Sequence, residues 1–575
     1  MEHLQALLAA MDRERRAVVA EHDEIKAQSL SARRALGFSV YPLALESTEL
    51  RSRGRVNVLL RGADLGGVFT PGDPVVLGPV GGPDVGIAGR VEGLDESTLE
   101  LRVEDAPNGP GPWCVSRRLD FSIWEEQRAA VARGGDKSTP LVNLLLGHER
   151  PYRPDPFEHP AFAKLDSSQR TAAELVLGAT EIGLLHGPPG TGKTETLCAI
   201  LVALRELGER PWALAESNAA VDHLALRAAA AGLDVVRLGV SARIGSPVQP
   251  LSLEWRILHG PRADVIRGLM RQAQKASGPE GLELRDAIRD EWAAAKREVL
   301  DAADVLAMTL GTLLSRGRGL PVPRTAVVDE ASQIAEPAIW PLVGRVKRLL
   351  LAGDPQQLGP VVKSRDPVLE RSLLQRLVEA GFVFPMLTRE YRFNDELLTL
   401  CSPTYGGKLE ADASVATPRT SPAATWVDTA GLGYDEERES MGSFHNPGEL
   451  ALLRKLWAEL QAEGVEAKDV AVVTPYRAQL LRIRAALPEL ESGTVNAFQG
   501  REKSVVLASF VRSNPEQELG FVADPRRLNV TVTRARDRLI LIGDTATLAA
   551  HPVFARLIDA VSALGGYRSG WELAE

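Results

Sequence analysis

Apolar side chains recur at every seventh position near the start of the chain, among many charged residues. This spacing favours a long amphipathic helix. We predict a helical stalk over residues 1–54, although the pattern is equally typical of an ordinary surface helix, because it supports a coiled coil only weakly. The residues that carry the pattern are Leu4, Leu7, Leu8, Met11, Val18 and Ile25.

From residue 55 to residue 116 the chain changes to short runs in which apolar and polar residues alternate. These runs lie at residues 56–60, 75–77, 87–91 and 98–103, and segments rich in proline and glycine separate them at residues 71–74, 81–84 and 108–112. Short alternating strands with turn residues between them predict a small antiparallel β-barrel. Residues 117–160 return to helical patterning and end in a proline-rich stretch, which we interpret as a return helix and linker.

Beyond residue 160, short and nearly continuous apolar runs alternate with helical segments. Several of these runs end just before polar clusters, such as those at residues 216–218, 329–330 and 353–354. Strands of this kind predict parallel sheets that are buried on both faces. We therefore expect an α/β fold with two sheet domains in tandem, at residues 161–385 and 386–575. A small helical insert is predicted at about residues 246–302, which are rich in Arg, Glu, Ala and Leu.

Composition narrows the class of protein. The 575 residues are too many for one core, 44% are apolar and 25% are charged, and no apolar run approaches the ~20 residues of a membrane-spanning helix. We expect no membrane partner and, without a signal-peptide pattern, a cytoplasmic location. The scattered Cys114, Cys198 and Cys401 suit neither a disulfide framework nor a zinc site. A net charge of −9 still leaves room for a local basic channel.

One segment points directly to chemistry. The sequence GPPGTGKT at residues 187–194 follows an apolar run, so it reads as a strand that turns through a phosphate-binding loop into a helix. Backbone N–H groups of such a loop point at the β-phosphate, the lysine lies between the β- and γ-phosphates, and the last hydroxyl suits Mg²⁺. The residues predicted to bind the nucleotide here are Gly187, Gly190, Thr191, Gly192, Lys193 and Thr194.

Two carboxylates close a later apolar strand. Asp329 suits a second Mg²⁺ ligand beside Thr194, and Glu330 suits a residue that orients or deprotonates the attacking water. An Asp-Glu pair at a strand end is often only a solvated turn. The phosphate-binding loop earlier in the chain favours the catalytic interpretation.

Five segments, in this order, resemble superfamily 1B helicases of the up-frameshift type, a family that includes the nonsense-mediated-decay helicase, the immunoglobulin-mu-binding helicase and senataxin. They are DEASQ at 329–333, GDPQQLGPVV at 353–362, EYR at 390–392, VNAFQGRE at 495–502 and RRLNVTVTRAR at 526–536. The resemblance covers about two thirds of the chain, from Gln169 to Asp544. It implies two RecA-like domains, ATP and Mg²⁺ as cofactors, and single-stranded DNA or RNA as the partner.

The resemblance also implies roles for individual residues. Gln169 reads the adenine edge, Tyr391 stacks on the base, and Glu502 contacts the ribose. Gln357 senses the γ-phosphate, while Arg392 and Arg534 reach across the cleft to it. For the two arginines and Glu502, the alternative is a structural ion pair or a surface charge. The implied catalytic set is therefore Lys193, Asp329, Glu330, Gln357, Arg392 and Arg534.

By the same resemblance, short polar side chains after strand ends contact the backbone of the nucleic-acid strand. The alternative is ordinary turn and helix-cap chemistry by Ser, Thr and Asn. The residues at these positions are Ser217, Asn218, Thr309, Thr474, Pro475, Tyr476 and Arg477. The chain departs from the family at Glu390, where a glutamine is usual, at residues 393–395, and at Glu216, where proline is common.

These observations predict an ATP-dependent helicase or translocase on single-stranded DNA or RNA, and the resemblance implies 5′-to-3′ travel. A nucleotide-gated switch or clamp that binds without unwinding is the alternative. An ATP-driven nuclease is disfavoured, because no acidic metal cluster is evident outside the ATP site. The sequence does not indicate any protein recruiter.

Overall fold

The computed structural model describes residues 2–574 apart from 51–54, 64, 66–67, 82–85, 110, 135, 137, 274–275, 277 and 440–441. Most of the turn predicted at residues 81–84 lies outside the described residues, as does the end of the predicted stalk at 51–54. No described helix combines the length and the apolar character that crossing a bilayer requires.

The N-terminal part consists of helices and a closed barrel with strand order β1-β2-β5-β4-β3-β6. Alternate residues such as Val56, Val58 and Leu60 point into the barrel core and are buried. The elements are α1 (Glu2–Lys26), α2 (Leu30–Ala35), β1 (Ser39–Leu50), β2 (Val56–Arg61), β3 (Pro74–Pro79), β4 (Ile87–Leu94), β5 (Thr98–Val103), β6 (Trp113–Arg117), α3 (Ser122–Arg133) and α4 (Pro140–Leu145).

Two features differ from the predicted stalk at residues 1–54. Strand β1 lies within that range and belongs to the barrel, where it pairs with both β2 and β6. Its pairing with β6, which lies far along the chain, closes the barrel, so the local pattern did not reveal it. One face of the first half of α1 is also buried: Leu4, Leu7 and Met11 pack in one apolar cluster with Trp340 of the first sheet domain.

The first sheet domain contains a six-stranded, all-parallel sheet in the order β7-β12-β11-β8-β10-β9. Helices α8 to α10 form the helical segment between β9 and β10. The elements are α5 (Ser167–Gly178), β7 (Ile182–His186), α6 (Lys193–Glu206), β8 (Trp212–Ala215), α7 (Asn218–Ala230), β9 (Val235–Leu238), α8 (Leu253–His259), α9 (Ala263–Ala273), α10 (Gly278–Ala302), β10 (Val305–Thr309), α11 (Leu310–Arg316), β11 (Thr325–Val328), α12 (Trp340–Val343), β12 (Arg348–Gly353), α13 (Pro367–Glu370) and α14 (Leu373–Glu379).

The second sheet domain contains another six-stranded parallel sheet, in the order β19-β18-β20-β21-β15-β22. The elements are β13 (Arg389–Glu390), α15 (Asp395–Cys401), β14 (Glu410–Ala411), β15 (Ala424–Asp428), β16 (Glu437–Arg438), β17 (Phe444–His445), α16 (Pro447–Ala462), β18 (Val470–Thr474), α17 (Arg477–Ala486), β19 (Glu491–Thr494), β20 (Lys503–Ser509), α18 (Pro525–Val532), β21 (Ala535–Gly543), α19 (Thr545–Leu548), α20 (Pro552–Ala563), β22 (Tyr567–Ser569) and α21 (Trp571–Ala574).

Burial explains why these strands read as apolar runs. Every residue of β10, β11, β12 and β18 is buried, because helices cover both faces of each sheet. The predicted fold class, two tandem parallel-sheet domains with an N-terminal barrel, is confirmed. Strands β7, β12 and β11 are neighbours and run in the same direction, so the polar residues that follow them meet at one edge of the sheet.

Candidate active site

The phosphate-binding loop joins β7 to α6 at that edge. Gly190 and Gly192 both have φ of +76°, a left-handed conformation that glycine adopts without steric cost. The Thr191 hydroxyl donates to the Pro188 carbonyl at 2.7 Å, which braces the loop internally. Thr194 lies in the first turn of α6, next to Lys193. The structure therefore forms the strand, loop and helix that the sequence predicted.

Lys193 brings the two predicted carboxylates together. Its Nζ lies 2.9 Å from Asp329 Oδ1 and 2.5 Å from Glu330 Oε1. Burial acts to lower the Lys193 pKa, but the two adjacent carboxylates outweigh it and raise that pKa. Burial raises the pKa of Asp329, although the positive charge of Lys193 acts to lower it. For Glu330, burial is outweighed by Lys193 and the pKa is lowered.

Glu330 is held in an unusual conformation. Its φ is +53°, which is uncommon for a residue with a side chain, and its N–H donates to Asp329 Oδ1 at 2.8 Å. The Gln333 amide donates to Glu330 Oε2 at 2.7 Å. These contacts fix one carboxylate oxygen toward Gln333 and the other toward Lys193, so the side chain is oriented by its neighbours.

The residues predicted to contact the base lie beside the loop. Gln169 is almost fully buried in α5, where its Nε2 donates to the Thr191 carbonyl at 3.1 Å. The Tyr391 hydroxyl donates to Asp166 Oδ2 at 2.9 Å, and the Tyr391 N–H donates to the Gly190 carbonyl at 2.9 Å. Asp166 also caps α5 and accepts from the Gln169 N–H. Its link to Tyr391 was missed, although the Asp-x-x-Gln capping pattern marks the helix start.

Arg392 and Arg534 both belong to the second sheet domain. The Arg392 guanidinium pairs with Glu502 and donates to the Thr533 carbonyl at 3.0 Å. Arg534 is buried and donates to the Val530 carbonyl at 2.8 Å. Burial and then the charge of Arg392 lower the Arg534 pKa to about 9, while the carboxylate of Glu330 acts in the opposite direction.

Gln357 is buried in the loop after β12, and its Nε2 donates to Asp354 Oδ2 at 3.0 Å. Asp354 also lies 3.0 Å from His186 at the end of β7 and accepts from the Tyr405 hydroxyl at 2.7 Å. The sequence marks Asp354 only as part of the segment at residues 353–362 and does not predict its three side-chain partners. His186 and Tyr405 come from distant parts of the chain, so spacing could not reveal their contacts, whereas Gln357 lies only three residues after Asp354.

The residues predicted to contact nucleic acid divide into two groups. Ser217 and Thr309 accept backbone N–H groups at the starts of α7 and α11, and Asn218 accepts from Arg237 at 2.8 Å. The contacts of Ser217 and Thr309 agree with the cap-and-turn alternative, whereas Asn218 binds the side chain of a buried arginine. In the second group, Tyr476 is buried against Phe444 and Phe521, whereas Arg477 is exposed.

The remaining members of this set also differ in exposure. Thr474 is fully buried and Pro475 is half-buried at the end of β18. The Arg477 guanidinium donates to the Leu36 carbonyl of the N-terminal part at 2.7 Å. Glu216 is exposed just before α7. A contact between these residues and a strand stays a prediction.

The residues at the loop suit magnesium bound together with phosphate. Thr194 and Asp329 offer a hydroxyl and a carboxylate, which are hard oxygen donors of the kind Mg²⁺ combines with phosphate oxygens and water. Across the described ranges, no group of three or more His, Cys, Asp or Glu side chains is placed to hold a metal ion.

Several known proteins are similar in sequence to the part of the chain that contains the two sheet domains. Two protein families match the chain, and both are described as an AAA domain. One matches residues 164–275 and 267–365, and the other matches residues 369–546. The chain is 34% identical over 476 residues to the DNA-binding protein SMUBP-2 of Rattus norvegicus, covering 75% of this chain and 48% of that protein. It is 32% identical over 473 residues to the ATP-dependent helicase upf1 of Schizosaccharomyces pombe, covering 75% and 51%.

Among solved structures, the chain is similar to Arterivirus nonstructural protein 10 (helicase), with a TM-score of 0.40 and 15% identity over 87% of this chain and 77% of that one. The chain spans about half the length of the two curated relatives described above.

A phosphate-binding loop on one parallel sheet, followed by a second parallel-sheet domain, defines a nucleotide-binding protein of the two-domain class that the sequence predicted. The matches to family and relatives agree with this class. The chain belongs to the UPF1-like group of superfamily 1 helicases, as the sequence resemblance predicted.

Proposed function

We propose that this chain hydrolyses ATP in the cleft between its two sheet domains and uses the resulting domain movement to travel along single-stranded DNA or RNA. The observation that carries the proposal is the contact of Lys193 with both Asp329 and Glu330 beside the phosphate-binding loop. Such a set of groups surrounds the transferring phosphoryl group in ATP hydrolysis.

In this proposal Lys193 turns from the two carboxylates to the β- and γ-phosphates when ATP binds. Glu330 is then free to accept a proton from the attacking water. Thr194 and Asp329 would hold magnesium, which neutralises charge on the phosphates. The guanidinium groups of Arg392 and Arg534 stabilise the charge that grows on the γ-phosphate, and they do so only when the cleft closes.

The role of Glu330 is tested by Glu330→Gln, which keeps the shape and the Gln333 contact but removes the base. We expect turnover to fall by at least ~100-fold while ATP binding persists, because general base catalysis is worth about that much. Phosphate release is measured with single-stranded DNA and RNA side by side, which also identifies the preferred strand. The exposed Glu379, changed to Gln, is the matched control. Parent-rate hydrolysis by Glu330→Gln would exclude Glu330 as the base.

Unwinding and its direction need a separate measurement. We infer 5′-to-3′ travel from the family resemblance, so duplexes with a 5′ single-stranded tail should be displaced faster than those with a 3′ tail. Strong strand-stimulated ATP hydrolysis without displacement on either tail would instead support a switch or clamp.

A further inference from the structure

The loop that carries Gln357 is anchored in both sheet domains. It follows β12 of the first sheet, and Asp354 at its start is fully buried. Asp354 lies 3.0 Å from His186 Nε2 and accepts from Gln357 Nε2 at 3.0 Å. These two contacts tie it to the strand before the phosphate-binding loop and to the predicted γ-phosphate sensor.

The second domain supplies the third side-chain partner of Asp354. Tyr405 lies in a short 3₁₀ turn, and its ring packs in the apolar cluster of that domain with Phe393 and Trp426. Its hydroxyl donates to Asp354 Oδ2 at 2.7 Å. A buried hydrogen bond from a phenol to a carboxylate is stronger than one between neutral groups, so the contact holds the two domains together at this point.

Asn529 of α18 forms a second connection. Its Nδ2 donates to the Tyr405 hydroxyl at 2.8 Å and to the Gln356 carbonyl at 3.0 Å. Helix α18 ends at Val532, two residues before Arg534. The same helix therefore leads to Arg534, which is predicted to reach the γ-phosphate, and binds the backbone of the loop that carries Gln357.

Apolar packing and the neighbouring acidic loop complete the arrangement. Leu358 is buried in the apolar cluster of the second domain, although the loop that carries it follows β12 of the first. On the other side, the Asp354 N–H donates to the Ser332 hydroxyl at 3.3 Å, two residues beyond Glu330. The loop at residues 354–358 thus touches the Glu330 loop and is packed into the opposite domain.

We propose that Tyr405 and Asn529 are positioning residues that attach the Gln357 loop to the second sheet domain, so that movement of this domain sets the position of Gln357 relative to the γ-phosphate. The inference rests on the proposed ATP hydrolysis. Breaking the attachment would remove the Tyr405 hydroxyl as a donor to the buried Asp354 carboxylate, which is costly, so the loop follows the second domain when the cleft opens or closes.

The test is Tyr405→Phe in the full chain, which removes only the hydroxyl and keeps the packed ring. The control is Tyr567→Phe, which removes a hydroxyl bonded to Asp428 at 2.5 Å within the second domain alone. For Tyr405→Phe we expect strand-stimulated kcat to fall roughly tenfold, with KM for ATP within about twofold of the parent. Tyr567→Phe should leave strand-stimulated kcat unchanged.

Hydrogen exchange of the ligand-free protein gives a readout that does not depend on activity. Tyr405→Phe should increase exchange at residues 353–362. Asn529→Leu removes the donor to the Gln356 carbonyl and the Tyr405 hydroxyl, so it should also increase this exchange and lower strand-stimulated kcat. The inference would be overturned if hydrogen exchange and kcat were unchanged in both variants. It would also be overturned if exchange became faster while strand-stimulated kcat stayed at the parent value. A parent chain without ATPase activity would overturn the proposed function and this inference with it.

Discussion

Glu390 places a carboxyl group against the phosphate-binding loop where no solvent reaches it. Its Oε1 accepts the Arg392 N–H at 2.7 Å and the Phe393 N–H at 3.3 Å. Within the described part of the chain, no donor reaches its Oε2. Burial raises the pKa of Glu390 to about 8, although the charge of Arg392 opposes the shift. The carboxyl group is therefore mainly protonated at neutral pH.

This raised pKa predicts a pH-dependent stability. The unfolded side chain titrates near 4.5 and the folded one at about 8, so the folded state holds the additional proton between these values. The stabilising contribution is complete below about pH 4.5 and is lost as pH rises through about 8. In thermal unfolding from about pH 6 to about pH 9, Glu390→Gln should lose less stability than the parent, because an amide does not ionise.

Two comparisons make the measurement specific. Glu410→Gln changes an exposed side chain on the paired strand β14 and should leave the parent pH profile unchanged. Burial also raises the pKa of Glu449 to about 8, so Glu390→Gln should remove only part of the pH dependence. Identical profiles for parent and Glu390→Gln would contradict the assignment.

At the scale of elements, the turn from β7 through the loop into α6 depends on close backbone approach. Gly190 has φ of +76°, and a Cβ there would overlap the buried carboxyl of Glu390. The linker to the second domain brings Glu390 to this point, because the His186 N–H donates to the Pro385 carbonyl and the Leu387 N–H donates back to the His186 carbonyl, both at 2.9 Å.

Gly190→Ala should therefore be more harmful than a matched change at the other end of α6. Gly208 has φ of +81°, but a Cβ there would meet no described atom within 4 Å. Gly208→Ala should cost about 1–2 kcal/mol from the backbone conformation alone. Gly190→Ala should cost a further ~1–3 kcal/mol from overlap and weaken ATP binding. Thermal unfolding and nucleotide titration measure the two effects, and equal losses in both variants would argue against the overlap.

At the scale of the whole molecule, a buried ion pair joins the N-terminal helices to the first sheet domain. Glu336 is almost fully buried and receives two hydrogen bonds of 2.8 Å from Arg376. His3 of α1 lies 2.8 Å from the same carboxylate, and Arg376 also donates to the Leu145 carbonyl of α4 at 2.9 Å. Burial is outweighed by His3 and Arg376, so the pKa of Glu336 is lowered to about 2.

Removing one partner of this pair should strongly destabilise the chain. Arg376→Ala leaves a buried carboxylate without its main donor, which typically costs about 3–5 kcal/mol. Arg371→Ala removes a partner of Glu379 in an exposed pair and should cost less than ~1 kcal/mol. Urea unfolding compares the two variants. Similar midpoints for both would show that Glu336 does not depend on Arg376.

The sequence by itself determined the local chemistry of this protein. Runs of apolar residues defined most strands, because burial on both faces leaves a continuous apolar pattern. Residues 187–194 defined the phosphate-binding loop, since glycine, lysine and threonine are required there by geometry and charge. The ordered motifs identified the helicase family.

Only the tertiary structure decided which of these groups meet. The sheet order placed the ends of β7, β12 and β11 side by side, which brought Lys193 to Asp329 and Glu330. Strand β1, which lies in the range of the predicted stalk, pairs with β6 and closes the barrel. Packing between the domains buries Glu390 and brings the Tyr405 hydroxyl to Asp354. Local sequence specifies conformation and residue chemistry, whereas contacts between distant segments depend on how the complete chain buries its apolar surface.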